Sequence, residues 1–593
     1  MYLCEVVSVL PSLASVCFHW RISKAFTVVG LLCLGFGGLA LPAPASADAG
    51  KVLANPEIIA AKTLVDKKKF YDAFGKLAEL VPTLTPDDPG KPIAQFLLAK
   101  TLYELGLYQS ALRGLDAVAV GPDDPLLREK LHQYLLIQRA VPGDLATIER
   151  LSDAAESMHK AEDVDEIRFL LAQYYYNIGD QDKAIARLQP VKPDAGETYL
   201  KARHLLGVIY VVKNLAQPAL EAFKDVLRFE EQVGNPSYYA EYRDLANMSL
   251  GRLFYSIRQY ETAGRYYDHV TEHTTAWLDS LFELGWTYFQ MGRIDRVLGE
   301  LHTLNSPYFE DRYYPEARVL ESLILFRTCR FAETLVSVER FLRDYKPLKK
   351  ELDAQLAGQR TDAEFYDYLF TLSANQKTLS VPLRRIFNVA LKDKRLQRAF
   401  ASVFLANDEM AGLDKLIRNT SATKPAEELK ADMGRVRAVM ISEAGGLARR
   451  RLQRVREDLT EIIRQGLRIK YETMKARRGS ISESVRIDME ETAKAVSEPR
   501  EEDSEHVVWP FDGSYWKDEL GGYTYDTRSK CTAAQMRHSP VKSTPKDAKA
   551  DDKGSKSGDN AAKPANSTKP ADKDAKDLKP AVDGKGASAG EGK

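Results

Sequence analysis

Residues 171–191 read LAQYYYNIGDQDKAIARLQPV. Ala172, Tyr175 and Gly179 stand at steps of three and four, which places an apolar stripe on one helix and a turn at the glycine. Ala184, Leu188 and Val191 repeat those steps on a second helix. Two short amphipathic helices joined by a tight turn cannot bury both stripes alone, so copies have to stack on one another.

Copies run in both directions from this stretch. Ala99, Leu102, Gly106, Tyr108, Ala111, Leu115 and Val118 keep the register upstream. Downstream it is kept by Gly207, Tyr210, Ala219, Phe223 and Val226, then by Gly251, Phe254, Tyr260, Ala263, Tyr267 and Val270. Gly285, Tyr288, Gly292, Val297, Leu301 and Leu304 form a further copy. Weaker copies flank the set at 61–80 and 322–341, and the pattern between Leu126 and Leu151 is degraded. The period is roughly 34 to 44 residues, overlapping the ~34 of tetratricopeptide repeats.

At this point the pattern resembles the tetratricopeptide repeat family over about half the chain. Small residues where helices cross, an aromatic three later, a turn glycine and an alanine on the second helix all match. Asn214, Arg258 and Cys329 depart from it at the turn, and Thr334 departs at the alanine. The resemblance implies an all-α fold, a right-handed α-solenoid of about seven or eight helical hairpins over 56–345. A non-repeat helical cap over 346–421 then supplies the end face that a solenoid needs.

The remaining segments differ in composition. Residues 21–47 read as a secretory leader: Arg21 and Lys24, an apolar run from Ala25 to Leu41, then Ala45-Ser46-Ala47 before Asp48. Residues 1–20 read as a misassigned start, and the minority reading of 25–41 is a retained membrane anchor. Cys4, Cys17 and Cys33 leave with the leader, so Cys329 and Cys531 are the cysteines of the mature chain. Nothing in the sequence shows that these two meet. Two separate thiols are the plainer expectation, with a disulfide left open. Residues 425–495 read as one long basic helix, weakened as a coiled coil by Gly445-Gly446 and Gly466 and expected to pack back on the array. Residues 500–535 form an aromatic segment containing Trp509, Phe511, Tyr515 and Trp516. It bears a faint resemblance to the C-terminal segments of large repeat proteins of cell-envelope and gliding-motility machinery. From 538 to 593 the chain is Lys, Ala, Asp, Pro, Gly and Ser, too polar to order itself, with anionic wall polymer as its expected contact.

The 84 basic and 84 acidic residues cancel, which removes any global drive toward nucleic acid. No nucleophile, phosphate-loop or dinucleotide motif stands in a strand–turn–helix setting, so no catalytic residue and no cofactor are expected. His269 and His273 have metal-ligand spacing, but no third ligand accompanies them and no metal is assigned. What the repeat resemblance implies is a groove lined by the first helix of each hairpin. Carrying its positions across gives Phe96, Tyr103, Phe169, Gln173, Tyr176, His204, Arg252, Tyr255, Phe282, Trp286, Phe289 and Phe326. Aromatic rings among Arg, His and Gln suit a peptide segment, because rings supply contact area at low entropic cost. Ser249, Asp279 and Glu283 stand where members that clamp a terminal carboxylate carry other residues, which argues against that mode.

The expected function is therefore a non-enzymatic scaffold of the bacterial envelope, periplasmic or exported, that holds an envelope protein or peptide. One alternative is a wall enzyme of lytic-transglycosylase type, for which Glu483-Ser484 offers only two matching letters. The other, should the leader be no leader, is a cytoplasmic repeat adaptor.

Overall fold

The computed structural model describes residues 55–487, apart from short stretches within 122–158 and at 273, 310–311, 359, 375–378 and 392, together with 513–525 and 529–531. The proposed leader, Trp509, Phe511 and the 538–593 tail lie outside the described residues.

Hairpins follow one another as the spacing predicts. They are α1 (Pro56–Asp66) with α2 (Phe70–Leu80), α3 (Lys91–Glu104) with α4 (Tyr108–Asp116), then α5 (Pro125–Ala140), whose partner is only partly described. Next come α6 (Val164–Ile178) with α7 (Gln181–Leu188), α8 (Glu197–Val212) with α9 (Ala216–Val233), and α10 (Tyr239–Ser256) with α11 (Tyr260–Asp268). The array ends with α12 (Trp277–Met291) and α13 (Ile294–Leu304), then α14 (Pro315–Arg327) and α15 (Phe331–Leu356). In the organising stretch Ala172, Ala184, Leu188 and Val191 are all fully buried, so the stripe read from the sequence is the one that packs. First helices also pack on the first helices of neighbouring hairpins, α6 on α8 and α8 on α10.

The turns share one backbone solution. Gly179 N–H donates to the Tyr176 carbonyl and Asp180 N–H to that of Tyr175, with Gly179 at φ 87°. Asn214, Arg258 and Cys329 make the same pair of bonds and hold φ of 58°, 63° and 57°. The departures from the family pattern therefore change the residue and leave the turn intact. A side chain in this left-handed region costs about 1–2 kcal/mol, part of which glycine offsets against its larger unfolded-state entropy. Arg258→Gly is accordingly expected to stabilise the chain by ~0.5–1 kcal/mol. The check is its urea midpoint, and a fall would assign the exposed Arg258 side chain a role at the turn.

After the array come α16 (Asp362–Ala374), α17 (Val381–Leu391), α18 (Lys394–Asn419) and the 65-residue α19 (Thr423–Ile487). Pro347 lies inside α15: Leu348 and Leu352 beyond it are buried, and their packing outweighs the lost backbone bond. Gly445, Gly446 and Gly466 do not interrupt α19. A Cβ on Gly445 would lie 1.8 Å from the Asp362 carbonyl oxygen, and one on Gly466 would lie 2.8 Å from the Phe341 ring. These glycines let α16 and α15 approach the helix, which is why they are tolerated in its interior.

Helices α18 and α19 pair antiparallel, with Lys430 on Asp414 (2.6 Å) and Arg437 on Asn407 (2.5 Å). Their far end reaches back to the first repeats. Leu413, Leu416, Ala422 and Met433 share a core with Phe74, Leu107, Ala111 and Leu115. Near its other end α19 packs on α14 and α15. The pair thus acts as a strut between the early and late hairpins. Among the described residues, α6, α8, α10 and α12 make no comparable packing with α19, so it does not seal the middle first helices. No helix among the described residues is long and apolar enough to cross a membrane.

Candidate functional site

The middle first helices carry a ladder of side chains that meet from one repeat to the next. Tyr242 of α10 donates to Glu197 of α8 (3.0 Å). His204 of α8 lies 3.1 Å from the Ser249 hydroxyl of α10, with its ring tilted against Phe223 at 5.6 Å. Arg252 of α10 forks onto Glu283 of α12 at 2.6–3.0 Å, and Glu283 also accepts from Tyr267 (2.9 Å). Tyr314, just before α14, donates to Asp279 of α12 (2.6 Å), and its ring packs on Phe282 at 5.7 Å. Phe289 of α12 lies under the Arg327 guanidinium of α14, 5.0 Å from ring centre to Cζ.

Electrostatics follow from this packing. Burial, helped by Arg252, pushes His204 down to about 4, so it is neutral near pH 7. Burial alone would lower Arg252, but the Glu283 carboxylate overrides it and holds the guanidinium above its ordinary value. Tyr314 is raised by burial and by the Asp279 charge.

The twelve residues expected in the groove separate into three sets. Phe96 and Trp286 are buried in the core, so they leave the face; close stacking of neighbouring repeats claims them first. His204 and Arg252 are tied into the ladder, and Tyr103 packs on Tyr108 at 5.5 Å. Phe169, Gln173, Tyr176, Tyr255, Phe282, Phe289 and Phe326 stay partly exposed along the first helices. What the sequence did not mark is the pairing rule: Glu283 and Asp279 were read as obstacles to a carboxylate, whereas they answer Arg252 and Tyr314.

The aromatic segment lies elsewhere. Residues 513–525 run over α13, on the side of the second helices, and 529–531 lie on the α14–α15 turn. Tyr515 stacks on His302 at 4.4 Å, and Tyr523 and Tyr525 meet the same imidazole at 4.8 and 5.6 Å. Gly521 N–H donates to the Thr303 hydroxyl (2.9 Å), Tyr525 N–H to the Asp295 carbonyl (3.1 Å) and Lys530 N–H to the Thr328 carbonyl (2.9 Å). Cys531 is disulfide-bonded to Cys329, which replaces the expectation of two separate thiols. Trp516 is 42% exposed. The segment is a strap on its own repeats, and the one sign of it in sequence was Gly299 in the middle of a helix, where a Cβ would stand 1.7 Å from the Tyr523 carbonyl oxygen.

Among the described residues, His132, Glu162 and Asp163 bring donor atoms within 4.8 Å of one another. His132 is already 2.5 Å from Asp163, and Arg139 reaches both Asp163 and Glu166, so a guanidinium supplies the positive charge a metal would bring. His269 binds the Arg265 carbonyl within its own helix, and His273 lies outside the described residues. Glu483 lies in the final turns of α19.

No family model and no curated protein matches the chain. Solved structures similar to it include the apo form of RapI, at 12% identity over 56% of this chain and 95% of that one, with a TM-score of 0.32. The apo quorum sensor NprR of B. thuringiensis matches at 12% identity over 65% and 100% of the two chains, with a TM-score of 0.26. A tetratricopeptide repeat protein of Parabacteroides merdae matches at 14% over 48% and 90%, with a TM-score of 0.22. The hairpins and their shared turn decide the architecture. The fold is a tetratricopeptide-like α-solenoid.

Proposed function

We propose that this chain is an exported, non-enzymatic scaffold of the bacterial envelope that holds an extended segment of another envelope protein against the first helices α6 to α14. The observation that carries this reading is the ladder itself. Bonds from repeat to repeat join the helices that carry the partly exposed rings of Tyr176, Tyr255, Phe282, Phe289 and Phe326, so less ordering of the row is needed on binding. Export is supported by the leader-like residues 21–47 and by the pairing of Cys329 with Cys531, since disulfides persist in oxidising compartments.

The test places a photo-crosslinking side chain at Gln173 or Tyr255, and for comparison at Trp516 on the strap. Crosslinks to one envelope protein are expected from the first two positions and not from the third. The double substitution Tyr255→Ala, Phe282→Ala is expected to weaken that complex by about 30-fold or more, the effect of losing two anchor side chains. Equal crosslinking at all three positions, or unchanged affinity, would remove the ladder as the binding face.

A further inference from the structure

Several charged groups on the ladder are answered within it. Arg252 has Glu283, Arg318 has Glu321, Glu197 has Lys201 and Tyr242, and Asp279 has Tyr314. Arg327 has no carboxylate and donates no hydrogen bond among the described residues; its guanidinium lies over Phe289 at 5.0 Å. It is half-buried, and burial is what lowers its affinity for its own proton. Nor is it spent as a helix cap. The terminal carbonyls of α14 are taken by backbone: Ile324 by Thr328 N–H, Leu325 by Arg330 N–H and Phe326 by Cys329 N–H. On the same aromatic step, Trp286 meets Phe289 edge-on at 5.7 Å, and its buried indole N–H also lacks an acceptor.

A partly desolvated guanidinium without a counter-charge is unfavourable in the free protein and becomes favourable when an anion arrives. Its planar fork suits a carboxylate gripped through two parallel N–H donors, while the face of Phe289 fixes the plane of the fork. We infer that Arg327, stacked on Phe289, is the anchor for a carboxylate of the bound segment, so the partner of this face is an acidic peptide. This inference rests on the proposed peptide-binding reading of the first helices and adds the chemistry of the partner. The carboxylate comes either from an Asp or Glu side chain or from a chain terminus.

Four pools of fluorescein-labelled decapeptides, each with randomised aliphatic and aromatic positions, separate these sources. The pools combine a free or amidated C-terminus with a central Glu-Glu or Gln-Gln pair, and anisotropy is read on the disulfide-intact mature chain. At least one acid-bearing pool is expected to bind ten-fold or more tighter than the amidated Gln-Gln pool. Arg327→Gln is expected to bring that ratio below two-fold, and Arg327→Lys to retain part of it. Arg318→Gln, which removes an equal charge already paired with Glu321, is expected to leave it unchanged. Because Arg327→Gln deletes an unanswered charge, its thermal midpoint should hold or rise. Equal binding of all pools, or a preference that survives Arg327→Gln, overturns the inference while leaving the groove reading standing. A fall in the thermal midpoint with the preference intact assigns Arg327 to packing and also overturns it. Binding of no pool overturns the groove reading and this inference together.

Discussion

Replacing Glu409 by alanine is expected to detach the tip of the α18–α19 strut from the first repeats, at a cost of about 3–4 kcal/mol. Helix α4 starts after Leu107, which cannot cap it, so its first amides need an acceptor from elsewhere. Glu409, almost 300 residues away, provides it: one carboxylate oxygen accepts from Gln109 N–H (2.9 Å), the other from Ser110 N–H (2.9 Å) and the Ser110 hydroxyl (2.7 Å). The negative charge also faces the positive end of the α4 dipole. Alanine leaves buried amides without an acceptor and opens space beside Leu413 and Leu107. Glu409→Gln keeps the volume but points an amide N–H₂ at one of these donors, and should cost about half as much. Hydrogen exchange at Gln109 and Ser110 reads the effect directly. Faster exchange there, with the α6–α13 amides unchanged, is expected for Glu409→Ala. Exchange as slow as in the parent chain would show that the apolar contacts of the tip suffice alone.

The second large effect belongs to the strap. Gly299→Ala is expected to lift residues 515–525 from α13, costing about 2–3 kcal/mol, because the added methyl collides with backbone and not with a side chain that can turn away. The Cys329–Cys531 bond keeps the far end tethered, so the loss is local: protection at the Gly521 and Tyr525 amides should fall by about ten-fold or more, while Lys530 stays protected. Acid should loosen the same contact. Burial holds His302 down to about 4, below its ordinary 6.5, so the seated strap favours the neutral ring. The sign is that of a depressed base: docking strength is whole above pH 6.5 and is lost as pH falls from 6.5 toward 4, by up to about 2 kcal/mol at pH 5. The rings of Tyr515, Tyr523 and Tyr525 offset part of this by cation–π attraction to the charged imidazole. Protection at Gly521 that is flat between pH 7 and 5 would mean His302 does not hold the strap. Unchanged protection in Gly299→Ala would mean that the helix yields instead.

The candidate face was only partly legible in the sequence. Helical spacing identified the first-helix positions, but it could not distinguish a ring left partly exposed, such as Tyr255, from one that is buried, such as Trp286. That difference depends on how closely two hairpins stack. Nor did spacing show that Arg252 is answered by Glu283 while Arg327 has no carboxylate partner among the described residues, since both read as a basic residue on a helix.

By itself the sequence determined what is local or repeats: the hairpins, their turns at Gly179, Asn214, Arg258 and Cys329, and the fully buried Ala184, Leu188 and Val191. These rest on contacts within a helix pair or between adjacent pairs, and a periodic chain writes such contacts down at a fixed interval. Only the tertiary structure decided that α16 and α15 pass over Gly445 and Gly466 of α19, that Glu409 caps α4, and that Cys531 returns across 202 residues to Cys329. Each of these joins elements that share no period, so the match lies in three-dimensional closeness: a glycine where a backbone passes, a carboxylate where a helix begins, a thiol where a strap ends.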